Sequence, residues 1–289
     1  MKLSEIYLNN SKKTIISFEV FPPKGENFEE KTNALILELK ELQSHKPALV
    51  SITYGAGGSN KDNSFELTTR IKEELEQTVM PHLTCVCAKK EEIEKYIKQI
   101  EQKEIKNILA LRGDKPKEIG VCHQDFKYAN ELIEFIKDKT ELEFAVSAYP
   151  ERHIDAKSLD FDIEILKKKQ DLGAKVAFTQ LFFKNENYYK FIELCNKKDI
   201  NIPIIPGILP IVSFNQLNKM ALLGNIEIEK KTYEFFEKYQ NSKEDTMKAG
   251  IEFASIQCEK LLNFGVKGLH FYTLNKSFST DCVIKNVIC

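Results

Sequence analysis

The sequence predicts an α/β protein built as a single (β/α)8 TIM barrel, in which eight parallel strands are each followed by a helix. Short runs rich in β-branched and aromatic residues alternate with longer charged stretches whose apolar residues recur every three or four positions. These units occupy nearly all of the 289 residues, close to the ~250 typical of this barrel. No linker or repeat divides them, so we expect one catalytic domain over residues 1–289 and no regulatory domain.

Eight runs have the length and composition of strands. In chain order they are Thr14–Phe21, Ala48–Tyr54, Met80–Val86, Asn107–Arg112, Leu142–Tyr149, Lys175–Phe182, Ile202–Ile208 and Val266–Thr273. The clearest helical patterns cover Glu91–Gln102, Asp125–Lys139, Leu159–Leu172 and Asp245–Phe264. Gly173 and Gly265 stand where a helix should end before the next strand. The same alternation also suits an open, doubly wound sheet, which periodicity alone does not separate from a barrel.

The composition narrows the functional classes. The chain carries 42 Lys and Arg against 43 Asp and Glu, so it has no strong field to attract nucleic acid or an acidic membrane surface. Its apolar runs are too short to span a membrane, and its N-terminus lacks the apolar core of a secretory signal. Seven scattered cysteines are typical of reduced thiols rather than of a disulfide framework. We therefore expect a cytoplasmic protein.

Motifs for metals and for the common nucleotide folds are missing from the sequence. Cys85 and Cys87 resemble half a zinc site, but no second pair lies at zinc spacing. No GxGxxG motif follows a strand, and no GxxxxGK[ST] motif occurs. The Gly-rich segment 54–59 could let a ligand approach the backbone closely, although a tight loop explains it equally well. We expect no metal site.

Polar residues gather at the C-terminal ends of the predicted strands, where barrels of this kind build their active sites. Along the first strand, alternation places Ile16, Phe18 and Val20 toward the helices, and Ser17 and Glu19 toward the interior. An unpaired charge buried there is costly, which favours the protonated form that a general acid needs. Five further polar residues take equivalent positions: His82, Arg112, Asp114, Tyr149 and Gln180.

The predicted helix Leu159–Leu172 offers a second group of candidates. Ser158 is a favourable N-cap before it. At about 100° per residue, one flank of its buried stripe carries Asp162, Ile165 and Lys169, and Lys168 lies farther round. A carboxylate and an ammonium on this flank could hold a ribose and a diphosphate, although a solvated helix face has the same pattern.

Eight ordered segments at the predicted strand ends resemble the methylenetetrahydrofolate reductase family, flavoproteins of one-carbon metabolism. They are SFEVFPP (17–23), SITYGA (51–56), HLTC (82–85), ALRGD (110–114), AYPERH (148–153), TQLFF (179–183), IPGILP (205–210) and HFYTLN (270–275). Together they span nearly the whole chain. The chain resembles the compact bacterial form, which lacks the regulatory domain of the longer eukaryotic enzymes.

The resemblance implies noncovalent FAD and a ping-pong reaction. NADH or NADPH reduces the flavin, and 5,10-methylenetetrahydrofolate then accepts a hydride to give 5-methyltetrahydrofolate, which supplies methyl groups for methionine synthesis. Glu19 matches the family's general acid, and Asp114 matches a carboxylate placed to stabilise a cationic iminium and to tune the flavin. Gln180 matches the amide that contacts whichever substrate lies over the flavin. Relatives form homo-oligomers, so we expect one here.

The other family positions fall into a cofactor set and a substrate set. For FAD, the resemblance implies Tyr54, Ala56, His82, Arg112, Gly113, Asp114, Tyr128, Tyr149, His153, Ala156, Asp162, Lys168 and Lys169. For folate and the nicotinamide it implies Thr53, Asp114, Gln180, Gln216, Tyr272 and Lys276.

Four positions depart from better-known members of the family. Ile165 replaces an Asn at the FAD phosphates, and Met220 stands where an aromatic residue can stack on a substrate. Lys168 and Lys276 replace arginines, which keeps the charge but loses bidentate geometry. We therefore expect the shared reaction with altered affinities, and the sequence does not decide between NADH and NADPH.

Two other functions stay open. A flavin barrel of the same shape could take its electrons from a protein partner instead of a nicotinamide. A noncatalytic subunit derived from this fold is disfavoured, because drift should erase an unused acid, and Glu19, Asp114 and Gln180 are all present.

Overall fold

The computed structural model describes residues 1–9, 13–54, 61–114, 125–224 and 226–288, and within them strands and helices alternate. The strands are β1 (Ile15–Val20), β2 (Leu49–Ile52), β3 (Val79–Thr84), β4 (Asn107–Leu111), β5 (Glu143–Ala148), β6 (Val176–Thr179), β7 (Ile204–Ile205), β8 (Gly207–Ile208) and β9 (Gly268–Tyr272). The helices are α1 (Leu3–Tyr7), α2 (Phe28–Leu42), α3 (Lys61–Glu74), α4 (Lys90–Gln102), α5 (Ala129–Ile136), α6 (Leu159–Asp171), α7 (Asn185–Lys197), α8 (Phe214–Gly224), α9 (Lys230–Glu237), α10 (Lys243–Phe264) and α11 (Phe278–Ile288).

The strands form one parallel sheet in the order β7-β6-β5-β4-β3-β2-β1-β9-β8. The predicted single strand Ile202–Ile208 is instead divided at Pro206, which has no backbone N–H to donate to a neighbouring strand. β7 pairs with β6 and β8 pairs with β9, so one chain segment joins both edges of the sheet. The result is a nearly closed barrel, which confirms the predicted fold class over the open sheet.

Glycine is required where the divided strand resumes. A Cβ atom on Gly207 would lie 2.4 Å from the carbonyl oxygen of Thr179 and 2.5 Å from the ring of Tyr272. The Gly207 N–H instead donates to Thr179 Oγ1 at 2.9 Å. The backbone of this segment therefore approaches both neighbouring strands more closely than any side chain permits.

Alternation along the strands separates two apolar cores. Ile16, Phe18 and Val20 of β1 pack in the outer core with the helices, as predicted. The opposite faces of the strands build a second core inside the barrel. This interior core consists of Leu3, Ile6, Tyr7, Leu49, Met80, Leu109, Ala145, Val176, Phe178 and Ile205.

Helix α1, which no sequence pattern predicted, closes the N-terminal end of the barrel. Leu3 and Tyr7 are fully buried in the interior core. Leu3 N donates to Asn107 Oδ1 at 2.8 Å, at the start of β4. The backbone N–H and hydroxyl of Ser4 both donate to the Glu143 carboxylate at 2.7 Å, at the start of β5. These bonds anchor α1 because both partners sit on strand ends that face it.

The helix termini mostly follow the predicted signals. The Ser158 hydroxyl accepts a hydrogen bond from Phe161 N at 3.1 Å and caps α6. Gly173 and Gly265 follow α6 and α10 with φ values of 109° and 97°. α5 is shorter than the predicted Asp125–Lys139, because the chain is still extended at Tyr128. No helix in the described ranges is long and apolar enough to cross a membrane.

The cysteines depart in part from the prediction of reduced thiols. Cys85, Cys195 and Cys258 are buried free thiols, and Cys282 is half-buried and free. Cys87, by contrast, is disulfide-bonded. A disulfide depends on the distance between two residues in space, which their spacing along the chain does not reveal.

Replacing Leu3 with Ala should lower the free energy of unfolding by about 2–5 kcal/mol, because a fully buried side chain leaves a cavity. Urea unfolding followed by circular dichroism measures the change. Leu8→Ala is the matched control: Leu8 follows α1 and is 45% exposed, so its loss should change stability by less than about 0.5 kcal/mol. Equal losses in the two variants would show that α1 does not close the barrel.

Candidate active site at the C-terminal end of the barrel

Glu19 of β1 faces the barrel interior, as alternation predicts, and two imidazoles lie against it. Glu19 Oε2 is 3.4 Å from Nε2 of His82 on β3 and 3.9 Å from Nε2 of His270 on β9. The Glu19 side chain is 20% exposed at the barrel mouth, whereas both histidines are buried. Alternation within one strand does not reveal these neighbouring imidazoles, and His82 Nε2 makes no hydrogen bond to the carboxylate.

Three buried polar atoms near the barrel mouth lack hydrogen-bond partners within the described residues. They belong to Ser51 of β2, and to His82 and Thr84 of β3. Unpaired buried polar atoms are rare in folded proteins, and these three lie on adjacent strands. Burial lowers the pKa of His82, Glu19 raises it and His270 lowers it, so the neutral imidazole is favoured. The group of unpaired atoms suits a polar ligand at the barrel mouth.

A cavity of about 120 Å³ lies between the end of β5, the start of α5 and one face of α6. Many of the cofactor residues that the resemblance implies line it, namely Arg112, Tyr128, Tyr149, His153, Ala156, Asp162 and Lys169. Ile165, the apolar departure from the family, lines it as well.

Five residues that no sequence motif marks also line this cavity: Ala129, Asn130, Ser147, Asp155 and Phe161. Phe161 lies four residues before Ile165 on α6, so helical periodicity already contained a signal for it. Ser147 likewise shares a strand face with Tyr149. Asp155 lies in an irregular segment, where no periodic signal applies.

Two cationic side chains border the cavity. Lys169 is only 7% exposed, and burial lowers its pKa to about 8 although Asp162 raises it. Its Nζ donates to the Ser147 carbonyl oxygen at 3.4 Å. Arg112 Nη1 lies 2.7 Å from Asp155 Oδ2, so a guanidinium borders the same cavity. Asp155 and Asp162 line the cavity as well and balance these two cations in formal charge. An ammonium and a guanidinium are nevertheless the groups that bind phosphate oxygens by charge-assisted hydrogen bonds.

Aromatic rings form another side of the cavity. Tyr149 and His153 meet edge to face with centroids 4.7 Å apart. Burial raises the pKa of the Tyr149 hydroxyl, a hydrogen bond with Ser147 lowers it, and Asp162 raises it. The Asp162 carboxylate also accepts a hydrogen bond from the backbone N–H of His153. This bond fixes the segment before α6 against the helix and so holds His153 beside the cavity.

Gly113 brings the backbone after β4 close to β3. Its φ is +82°, a conformation that favours glycine. A Cβ atom there would lie 2.9 Å from both Thr84 Cβ and Val86 Cγ1. No side chain fits this position, and the exposed Asp114 follows directly at the barrel mouth.

Of the implied cofactor residues that the structure describes, five do not line this cavity: Tyr54, His82, Gly113, Asp114 and Lys168. His82, Gly113 and Asp114 lie at the barrel mouth instead. The Tyr54 ring packs edge to face against Tyr96 at 5.3 Å, within the helix layer. Lys168 is exposed on α6, because it lies farther round the helix than Lys169. Ala56 lies outside the described residues.

Four of the implied substrate residues make hydrogen bonds to the backbone of neighbouring segments. Gln180 Oε1 accepts a hydrogen bond from Leu181 N at 2.9 Å, and Tyr272 Oη donates to the Thr179 carbonyl oxygen at 2.6 Å. Among the rest, Thr53 N donates to the Val20 carbonyl oxygen at 3.0 Å, and Gln216 Oε1 accepts from Val212 N at 2.6 Å.

Lys276 lies farthest out of the substrate set. Its side chain is 77% exposed and its Nζ lies 2.9 Å from Glu38 Oε1, on α2. Met220, the departure on α8, is half-buried and packs with a third apolar cluster outside the interior core.

Comparisons with known proteins identify relatives along nearly the whole chain. A family profile described as "Methylenetetrahydrofolate reductase" matches residues 4–288. The chain is 40% identical over 269 residues to the 5,10-methylenetetrahydrofolate reductase of Buchnera aphidicola subsp. Schizaphis graminum, covering 93% of this chain and 90% of that protein. It is 36% identical over 262 residues to the 5,10-methylenetetrahydrofolate reductase of Escherichia coli K12, covering 91% and 86%.

Solved structures show the same fold at lower sequence identity. An uncharacterized protein from Clostridium thermocellum, which binds two copies of 5-methyl-5,6,7,8-tetrahydrofolic acid, superposes with a TM-score of 0.68. It is 16% identical, and the superposition covers 96% of this chain and 95% of that one. This likeness supports the barrel fold.

Replacing Lys169 with Met should raise the free energy of unfolding of the ligand-free protein at pH 7 by up to about 3 kcal/mol. This is the cost of burying the ammonium that the lowered pKa implies. Below pH 8 the folded protein bears the full cost of the buried charge. Between about pH 8 and 10.5 the unfolded chain binds a proton that the folded protein has lost, so wild-type stability rises with pH. The advantage of Met should therefore shrink across this range, as measured by urea unfolding at several pH values.

Lys168→Met is the matched control for this experiment. Lys168 is adjacent in sequence but exposed, so its substitution should leave stability within about 0.5 kcal/mol at every pH. A Lys169→Met variant that is less stable than wild type at pH 7 would contradict the buried, costly ammonium.

Proposed function

The chain belongs to the methylenetetrahydrofolate reductase family, and on that premise we propose that it reduces 5,10-methylenetetrahydrofolate to 5-methyltetrahydrofolate with FAD as cofactor and NADH or NADPH as electron source. The structural observation that carries this proposal is Glu19, a carboxylate inside the barrel mouth with His82 3.4 Å away. A cytoplasmic location, a single catalytic domain and a homo-oligomeric state stay predictions.

The cavity between β5 and α6 fits the ribose and diphosphate of FAD. Lys169 and Arg112 supply positive charge for the phosphates, and Asp162 supplies a carboxylate that can accept a hydrogen bond from a ribose hydroxyl. The unpaired polar atoms of Ser51, His82 and Thr84 supply further hydrogen-bonding groups at the barrel mouth. When bound, the flavin accepts a hydride from the nicotinamide and passes it to the folate.

In the proposed mechanism Glu19 delivers a proton to the departing nitrogen of the substrate. The five-membered ring of 5,10-methylenetetrahydrofolate must open before its carbon accepts a hydride, and the nitrogen that leaves needs a proton. Burial lowers the pKa of the neighbouring His82 and favours its neutral imidazole. The partial exposure of Glu19 at the barrel mouth leaves it open to the substrate.

Asp114 and Gln180 complete the proposed chemistry. Asp114 is exposed directly after the constrained Gly113, so its carboxylate is available to stabilise a developing positive charge on the opened ring. The Gln180 amide is oriented by the bond from Leu181 N to its Oε1. Gln180 is then ready to contact either substrate without first reorganising.

The first test concerns the cofactor. Purified protein should be yellow with flavin absorbance, and NADH or NADPH added anaerobically should bleach it. Addition of 5,10-methylenetetrahydrofolate should then restore the colour as the folate is reduced. A colourless protein that does not take up FAD would contradict the proposal. If a reductant protein bleaches the flavin and neither nicotinamide does, the electron source is a protein partner rather than NADH or NADPH.

The second test concerns Glu19. Glu19→Gln keeps the side-chain size but removes the acid, so the rate of folate reduction should fall about 10²- to 10⁴-fold. Flavin reduction by the nicotinamide should change little, since that step needs no proton from Glu19. Stopped-flow absorbance measures the two half-reactions separately. The control is Glu41→Gln, at an exposed site on α2; equal losses in both half-reactions of Glu19→Gln would contradict the role of a specific acid.

A further inference from the structure

A chain of buried side chains crosses the barrel interior from α1 to Glu19. Tyr7 Oη donates to Ser17 Oγ at 3.3 Å. Ser17 Oγ lies 2.8 Å from His270 Nδ1, and His270 Nε2 lies 3.9 Å from Glu19 Oε2. Tyr7, Ser17 and His270 are each at most 1% exposed. The chain therefore connects the closed N-terminal end of the barrel to the proposed acid at its mouth, without solvent between its first three members.

The direction of these hydrogen bonds determines the tautomer of His270. Burial raises the pKa of Tyr7, so its hydroxyl stays protonated. This hydroxyl donates a hydrogen bond to Ser17 Oγ. Ser17 then has one hydroxyl proton left, and leaving it unpaired in the interior would be costly. The acceptor beside it is His270 Nδ1. In this arrangement of hydrogen bonds the ring proton of His270 lies on Nε2, the nitrogen that faces Glu19.

The surroundings of His270 are neutral apart from Glu19. Among the described residues, the rings of Phe178 on β6 and Tyr272 on β9 lie 4.6 and 5.5 Å from the His270 ring. Burial raises the pKa of Tyr272, and His82 is favoured neutral. The Nε2 atoms of His270 and His82 both face Glu19 Oε2, at 3.9 and 3.4 Å, and the chain from Tyr7 sets the proton on His270.

We propose that Tyr7 and Ser17 are positioning residues that hold His270 in its Nε2–H tautomer, and that His270 in turn orients the acid. The Nε2–H bond presents positive charge to Glu19 Oε2, which favours this oxygen as the unprotonated one. The transferable proton is then placed on Oε1. The consequence for catalysis rests on the proposed function of Glu19, whereas the tautomer itself does not.

The Tyr7 hydroxyl is separable from the structural role of α1. The helix is also held by Leu3 N on Asn107, by Ser4 on Glu143, and by Lys267 Nζ, which donates to the Tyr7 carbonyl oxygen at 3.1 Å. The Tyr7 ring packs edge to face against Phe178 at 5.8 Å. Tyr7→Phe keeps this ring and all of these bonds, and it removes only the donor to Ser17.

The tautomer can be measured without any assay of activity. Protein with ¹⁵N-labelled histidine rings gives long-range ¹H–¹⁵N correlations that separate the two neutral tautomers, and His270→Gln assigns the signals of His270. We expect a protonated Nε2 and an unprotonated Nδ1. Tyr7→Phe should give a mixture of the two tautomers, because Ser17 is then free to accept as well as to donate. A protonated Nδ1 in the unsubstituted protein would overturn the proposal.

The half-reactions test the consequence for Glu19. Tyr7→Phe should slow folate reduction about 2- to 10-fold, the range expected for one lost hydrogen bond, and leave flavin reduction unchanged. In a Ser17→Ala background it should have no further effect, since Tyr7 acts through Ser17. Tyr188→Phe is the matched control: this buried hydroxyl donates to the Ile204 carbonyl oxygen in the outer core.

The outcomes separate this inference from the proposed function. An unsubstituted protein that reduces no folate refutes the proposed function, and the tautomer measurement still decides the arrangement of His270. An active protein in which Tyr7→Phe and Tyr188→Phe slow folate reduction equally overturns the positioning role. Equal slowing of both half-reactions by Tyr7→Phe overturns it as well, because the effect would then not pass through Glu19.

Discussion

The pairing of β7 with β6 and of β8 with β9 joins the two edges of one parallel sheet, and the candidate active site depends on this closure. In a closed sheet every second side chain points into the shared barrel interior. The inward residues of β1, β3 and β9 must therefore meet. Glu19, His82 and His270 come together for this reason, although they are distant in the sequence.

The interior changes character along the barrel axis. Its N-terminal part is apolar and sealed by α1, whereas its C-terminal part carries carboxylate, imidazole and amide groups. Tyr7 and Ser17 bridge the two parts through paired hydroxyls. A sealed end excludes water from the apolar part, which strengthens electrostatic interactions between the polar groups above it. The helix that closes the barrel is therefore linked by hydrogen bonds to the candidate active site at the opposite end.

Stability and ligand binding oppose each other at the cavity between β5 and α6. The buried ammonium of Lys169 lowers stability at neutral pH because burial disfavours its charge. The same ammonium can bind an anionic ligand. In the protein alone, Asp162 is the carboxylate that offsets the cost of burying this charge. Ile165 makes part of the cavity wall apolar. Such a site is stabilised chiefly when its ligand is present.

The sequence alone determined the strand–helix alternation, the faces of β1, the N-cap Ser158 and several of the cavity residues on α6, because periodicity and capping are local signals. It predicted the barrel, and the closure of the sheet decided it over the open alternative. Only the tertiary structure decided the division of a strand at Pro206, the burial of α1 and the packing of Tyr54 in the helix layer. It also brought His82 and His270 beside Glu19. These features depend on which strands become neighbours when the sheet closes, and contacts between distant segments leave no periodic trace in a single sequence.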